Sequence, residues 1–146
     1  LVPMKPSKLT EFSVYLDQRP GELAGLLDAA ASAGVDVLAA AVSESNGKGL
    51  VRLVGEPAEK LRAVCENLIE SGVGPIVEGE VLAVPIEKRP NALRDLATAM
   101  ADQRINLRYA YQIPRRGQEL ARCVFRVDDL EDVVAKIEAI DWPGEG

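Results

Sequence analysis

Alternating and helically spaced hydrophobic residues divide the first half of the chain into strands and helices. From Glu11 to Asp17 every second residue is apolar, which predicts a strand with one buried face. After Arg19-Pro20-Gly21, leucines and alanines recur at helical spacing as far as Gly34, which predicts a helix that ends at this glycine. The other predicted elements are strands at Val35–Val42, Leu50–Val54 and Val73–Val77 and a helix that follows Pro57.

The same order of elements recurs at an offset of 70 residues, which indicates a duplicated module. The matched pairs include Val14 with Val84, Leu16 with Ile86, Arg19-Pro20 with Arg89-Pro90, and Leu50 with Leu120. Each copy predicts the order βαββαβ, the ferredoxin-like arrangement. We therefore predict an α+β fold with two such modules in tandem, at residues 9–78 and 79–146. Each antiparallel sheet is expected to carry its helices mainly on one face.

The second module has no clear last strand, because the six residues after Ile140 are too few and include Pro143 and Gly144. Two alternatives remain open: either Val73–Ile86 serves both sheets, or the second sheet is a strand short. The runs Val37–Val42 and Val81–Val84 hardly alternate. This pattern predicts that their second face is covered by the other module or by a second chain, so we expect a twofold homodimer.

The turn after the first strand of each copy resembles that of the ACT domain. The first copy reads Asp17-Gln18-Arg19-Pro20-Gly21-Glu22-Leu23 and later Val35-Asp36-Val37; the second reads Glu87-Lys88-Arg89-Pro90-Asn91-Ala92-Leu93 and later Ile105-Asn106-Leu107. Over about residues 9–140 the chain thus resembles a stand-alone tandem ACT protein. The resemblance implies a regulatory module that binds a free amino acid or a similar small carboxylate where ACT units meet, and that acts on an amino-acid metabolic enzyme.

The candidate ligand-binding residues are Asp17, Gln18, Arg19, Pro20, Gly21, Glu22 and Leu23 of the first turn, with Asn106, Tyr109 and Tyr111 of the second copy. Amides at a helix start attract a carboxylate, so the amides of Gly21 to Leu23 are expected to face that of the ligand. Asp17 or Gln18 would accept from its ammonium. The alternative is that the segment is only a tight turn. Asn91 replaces the glycine of the family in the second copy, so we rank the first turn ahead of the second.

Tyr109 and Tyr111 stand two residues apart on a predicted strand and therefore share a face. Ala39 and Ala41 take the matching places in the first copy. Two interpretations remain open for this tyrosine pair. It forms a pocket wall whose hydroxyls meet the ligand, or it packs in a core or interface with its hydroxyls at the edge.

Composition and charge exclude several classes of function. The net charge of −6 argues against nucleic-acid binding, and the absence of histidine removes His-based catalysis and ordinary His-containing zinc sites. Cys65 and Cys123 form no CxxC motif and are interpreted as reduced core thiols. No apolar run is long enough to span a membrane, and no signal peptide is evident, so we expect a cytoplasmic protein.

Three functions remain after these exclusions. The first is a non-enzymatic regulator that binds an amino acid, with no catalytic residues, no cofactor and no metal. The second is an assembly module whose ancestral pocket is empty. The third is a small acylphosphatase-like enzyme, which would need a glycine-rich phosphate loop with a positioned Arg and Asn. Arg19 is present, but no convincing Asn accompanies it in the first copy.

Overall fold

A computed structural model of the chain describes residues 5–113 and 120–140. Along these ranges the elements follow the order β1 (Ser7–Asp17), α1 (Glu22–Ser32), β2 (Asp36–Ser45), β3 (Lys48–Glu56), α2 (Ala58–Glu70), β4 (Ile76–Glu87), α3 (Ala92–Asp102), β5 (Tyr109–Ile113), β6 (Leu120–Arg126) and α4 (Leu130–Glu138). They form two compact units. The first unit comprises Thr10–Glu80, and the second comprises the described residues before Thr10 and after Glu80.

The first unit contains strands in the order β2-β3-β1-β4, with Ile76–Glu80 as its share of β4. The predicted alternation of β1 is confirmed, because Phe12, Val14 and Leu16 are buried while Asp17 is exposed. These side chains join the apolar faces of the helices in one hydrophobic core. That core consists of Phe12, Val14, Leu16, Leu26, Ala30, Val35, Val51, Leu53, Leu61 and Cys65. The unit is therefore the predicted ferredoxin-like module, with helix-facing residues at every second strand position.

The second unit contains strands in the order β4-β6-β5, and its α3 and α4 contribute Leu96, Met100, Val133 and Ile137 to a second core. Ser7–Leu9, the start of β1, belong to this unit, and β1 is the neighbour of β4 in the strand order. Both β1 and β4 therefore contribute residues to both units. This corresponds to the first of the two open alternatives, in which Val73–Ile86 serves both sheets. The predicted absence of a last strand concerns residues 141–146, which lie outside the described residues.

The constant offset of 70 residues between the copies is wrong from the third strand onward. Leu16 lies opposite Gly49, and its counterpart Ile86 lies opposite Ala121, which is 72 positions after Gly49. The helices keep this shift, since Leu61 of α2 and Val133 of α4 are buried at the same spacing. Matching hydrophobic residues alone missed the shift, because a slip of two residues returns side chains to the same face of a strand.

The structure changes two further predictions, the start of β5 and the exposure of the apolar run in β4. At an offset of 70, the strand predicted to begin at Val35 has a second copy that would begin at Ile105, but this strand begins at Tyr109, after a bend at Arg108. The doubly apolar run Val81–Val84 is 0% exposed at all four positions in the single chain. It therefore leaves no exposed patch for a partner, and this part of the reason for expecting a homodimer does not hold.

Both cysteines are free and buried. Burial raises the pKa of the Cys65 and Cys123 thiols from the ordinary 9.0 to about 11, so both are protonated at neutral pH. Among the described residues, the helices are too short or too polar to cross a bilayer.

The close packing of Gly55 in β3 predicts a loss of stability on substitution. A methyl group there would lie 2.8 Å from Val35 Cγ1 and 3.1 Å from Leu61 Cδ2, and both side chains are buried. Gly55→Ala should therefore lower the free energy of unfolding by about 1–3 kcal/mol, measured by urea denaturation. The control is Gly25→Ala in α1, where a methyl group meets nothing within 4 Å. This control should raise the unfolding free energy by about 0.5–1 kcal/mol, and equal effects of the two changes would refute the packing described.

Candidate functional site

The first turn joins β1 to α1 through Gln18–Gly21, and the backbone of Gly21 is left-handed with φ +92°. The Glu22 amide donates to the Arg19 carbonyl at 3.3 Å, and the Gly25 amide donates to the Gly21 carbonyl at 2.9 Å. The amide of Glu22 is therefore already engaged within the turn. Glycine adopts this conformation readily because it has no Cβ to clash with the adjacent carbonyl.

A groove beside this turn, which we call the first-turn groove, has a volume of about 420 Å³. It is lined by Leu16, Asp17, Gln18, Arg19, Pro20, Glu22, Leu23, Val42, Ser43, Gly49 and Val51. Six of the predicted binding residues are in this lining, while Gly21 is outside it. The volume falls within the roughly 300–1,000 Å³ that is usual for small-molecule sites. A groove of this size lies beside the first turn, and ligand binding there stays a prediction.

The floor of the groove comes from strand positions that sequence reasoning missed. Leu16 lies opposite Gly49, and Val51 lies opposite both Val14 and Val42, so these residues share the helix-side face of the sheet. Leu16 and Val51 are buried, whereas Val42 is 59% exposed. The sequence carried no signal for this grouping, because it depends on the pairing register of three strands.

Charged side chains at the mouth of the groove form a small balanced network. Arg19 Nη2 lies 3.2 Å from Asp17 Oδ2 and 3.1 Å from Glu22 Oε1. Lys48 Nζ lies 3.7 Å from Asp17 Oδ1 and donates to the Gly74 carbonyl at 3.3 Å. The two carboxylates therefore face two cations. Since these side chains remain partly exposed, the pairs add little to stability and can exchange partners with a bound ion.

The second turn has the same backbone and a different set of ion pairs. Asn91 is left-handed with φ +67°, as the tolerance of asparagine for this region allows. Arg89 donates to Glu87 at 2.9 Å and to Asp95 at 3.0 Å. Hydrogen bonds from Arg89, and then from Arg94, hold the pKa of Asp95 below its ordinary value. Arg89 is thus held by carboxylates on both sides, as Arg19 is in the first turn.

At two strand positions beside the second turn, the second unit has a larger or a more polar residue than the first unit. Ala121 lies opposite Ile86, where the first unit has Gly49 opposite Leu16. Gln112 lies opposite Cys123, where the first unit has Val42 opposite Val51. The methyl group of Ala121 therefore occupies the place left open at Gly49, and the amide of Gln112 takes the place of the Val42 side chain.

The three predicted binding residues of the second copy lie in the second unit. Asn106 is exposed ahead of β5, while Tyr109 and Tyr111 stand on β5 with their rings stacked at a centroid distance of 6.4 Å. They are not part of the lining of the first-turn groove, which consists of first-unit residues. The described residues contain no group of three or more Cys, Asp or Glu placed to hold a metal ion.

Comparison with known proteins gives matches to one family and to solved structures. A family model described as an ACT domain pair matches residues 7–140. A protein from Bacteroides thetaiotaomicron has 17% identity and a TM-score of 0.76, covering 93% of this chain and 92% of its own. The ligand-free regulatory subunit of aspartate kinase from Thermus thermophilus has 13% identity and a TM-score of 0.66, covering 96% and 97%.

A third solved structure is E. coli aspartokinase III in complex with lysine and aspartate. It has 13% identity and a TM-score of 0.58, with 92% of this chain and 31% of that chain covered. At these identities the structures are evidence of a shared fold. Comparison with curated protein sequences gave no match.

Proposed function

Because the chain belongs to the family of ACT domain pairs, we propose that it is a non-enzymatic regulatory protein that binds a free amino acid in the first-turn groove. One observation carries this proposal: the groove combines an apolar floor with the opposite charges of Asp17, Arg19 and Glu22 at its mouth. A free amino acid has the matching combination of an ammonium, a carboxylate and a side chain.

Each charged end of an amino acid has a partner at the mouth. The Arg19 guanidinium offers hydrogen bonds to a carboxylate, and the amides of Leu23 and Ala24 lie in the first turn of α1, where no preceding helical turn supplies acceptors. The carboxylates of Asp17 and Glu22 and the side-chain oxygen of Gln18 offer acceptors to an ammonium. A zwitterion leaves the balance of the four charged side chains unchanged, so binding leaves no charge uncompensated.

The regulatory part of the proposal rests on family membership and on the solved structures. Two of these structures are a regulatory subunit of aspartate kinase and an aspartokinase in complex with lysine and aspartate. We propose by analogy that this chain regulates an enzyme of amino-acid metabolism in response to the concentration of the amino acid that it binds. Its free, buried cysteines fit the reducing environment of the cytoplasm.

The edge strand β2 supports a homodimer. It is the outermost strand in the order of the first unit, and Val37 to Ser43 carries no charged side chain. Ala40 and Val42 are exposed on it. An uncharged, exposed edge strand offers backbone groups for pairing with another strand, and a second copy of β2 would satisfy them symmetrically.

Ligand binding is expected to depend on Gly21. In a screen with the standard amino acids, one or a few of them should raise the melting temperature of the protein, because a ligand that binds the folded state stabilises it. Gly21→Val should abolish binding in calorimetric titration, since valine disfavours the left-handed backbone that holds Arg19 and Glu22 beside the groove. Asn91→Val is the matched control, because valine at either left-handed position costs about 1–3 kcal/mol of strain.

The control should bind normally although its valine also stands at a left-handed position. Normal binding by Gly21→Val with loss in Asn91→Val would move the site to the second turn. A flat screen would instead favour an assembly module with an empty pocket, and hydrolysis of an acyl phosphate by the protein would contradict the non-enzymatic role.

Self-association is expected to follow the β2 edge. Light scattering at micromolar concentration should give a mass near twice the 15.7 kDa of the chain. Ala40→Lys should shift the mass toward the monomer, because the two like charges would face each other across paired edges. The exposed helix position Ala31→Lys serves as control and should leave the dimer intact. A monomeric mass for the unaltered protein would refute the homodimer.

A further inference from the structure

We infer that the first-turn groove selects an amino acid with an aliphatic side chain and that Gly49 provides the space for this side chain. The inference rests on the proposed function and goes beyond it by naming the class of ligand. It follows from three observations: the chemistry of the groove floor, the missing side chain at Gly49, and the position of the charges.

The floor of the groove is apolar on every strand that contributes to it. Leu16 comes from β1, Val51 from β3 and Val42 from β2, and Leu23 adds an apolar side chain from α1. Val42 is 59% exposed, which is unusual for a valine on the helix-side face of a sheet. An aliphatic group in the groove would cover Val42, which is the exposed part of the floor, because Leu16 and Val51 are only 5% and 1% exposed. This removes apolar surface of both partners from water, which is the main source of affinity for such a ligand.

Gly49 leaves an open position in this floor, beside Leu16. It pairs with Leu16 across the strands, so a side chain there would point to the same face as Leu16. A Cβ at Gly49 would have the Leu16 carbonyl oxygen at 3.6 Å as its nearest neighbour, which is an ordinary contact. The fold therefore does not require glycine at this position. The second unit, with Ala121 in the equivalent place, shows that the module accepts a side chain there.

The charged residues that line the groove lie at its mouth, whereas Glu44, opposite Gly49 on β2, is outside the lining and accepts a hydrogen bond from the Gly47 amide at 3.2 Å. Asp17, Arg19 and Glu22 belong to the end of β1, the turn and the start of α1. They are suited to the ammonium and carboxylate common to all amino acids. A third charge, such as the ammonium of lysine or the second carboxylate of aspartate, would be placed against Leu16, Val42 and Val51. Moving a charge from water onto such a surface without a partner is unfavourable.

The test compares ligands and Gly49 variants by calorimetric titration. Valine, leucine, isoleucine or methionine should bind about tenfold or more tightly than lysine or aspartate, as expected for burial of an aliphatic side chain. Gly49→Ala should weaken leucine binding more than alanine binding, because the added methyl group takes space from the larger side chain. Gly49→Val should weaken leucine binding further, by about tenfold or more relative to the unaltered protein. A merely structural role of Gly49 would affect both ligands equally.

The matched control is Ala121→Gly, which makes the reciprocal change in the second unit and should leave affinity and a stoichiometry of one ligand per chain unchanged. Thermal unfolding of each variant verifies that it is folded, and Gly49→Ala suffices should Gly49→Val fail to fold. Tightest binding of lysine or aspartate would overturn the inference and leave the proposed function standing. Unchanged leucine binding in folded Gly49→Ala and Gly49→Val would overturn the role of Gly49. Failure of every amino acid to bind the unaltered protein would refute the proposed function itself.

Discussion

Each unit depends on one constraint on the backbone: the chain has to turn from its first strand into its first helix within four residues. The turn ends in a left-handed residue, Gly21 in the first unit and Asn91 in the second. This residue aims the helix across the sheet, so that Leu26 and Ala30, or Leu96 and Met100, reach the apolar face of the strands. Because helix stability in proteins comes mostly from packing of an apolar face, the direction set by the turn decides whether the core can form.

The same turn creates the groove. The helix begins only at Glu22, and the groove lies beside this start, next to Gly49 and the exposed Val42 of the sheet. In the first unit the space is widened because Gly49 has no side chain. In the second unit, Ala121 and Gln112 stand at the equivalent pairs. The two copies of the module thus share the same turn between strand and helix. They differ in the side chains that the neighbouring strands place beside this turn.

Much of the fold could be predicted because hydrophobic periodicity reports the buried face of each element. The alternation in β1 and the helical spacing after Pro20 led to the correct order of elements. Asn91 keeps the left-handed turn because asparagine tolerates this backbone region better than most residues. Periodicity cannot report which residues lie opposite each other, so the two-residue shift at Ala121 was missed. The floor of the groove was missed for the same reason, since Val42 and Gly49 reach it only through strand pairing. Hydrophobic periodicity also could not predict that Ser7–Leu9 belong to the second unit, because this grouping joins residues that are far apart in the sequence.

The central claim is that one ligand binds beside the first turn and rests on the sheet next to it. The most direct measurement is a titration of the ¹⁵N-labelled protein with leucine, followed by two-dimensional NMR of the assigned backbone amides. The largest shifts are expected at Leu16–Leu23 and at Val42, Ser43, Gly49 and Val51, all of which belong to the groove or its turn. Shifts centred instead on Ile86–Leu93 and Ala121 would contradict the claim, because they would place the ligand at the second turn.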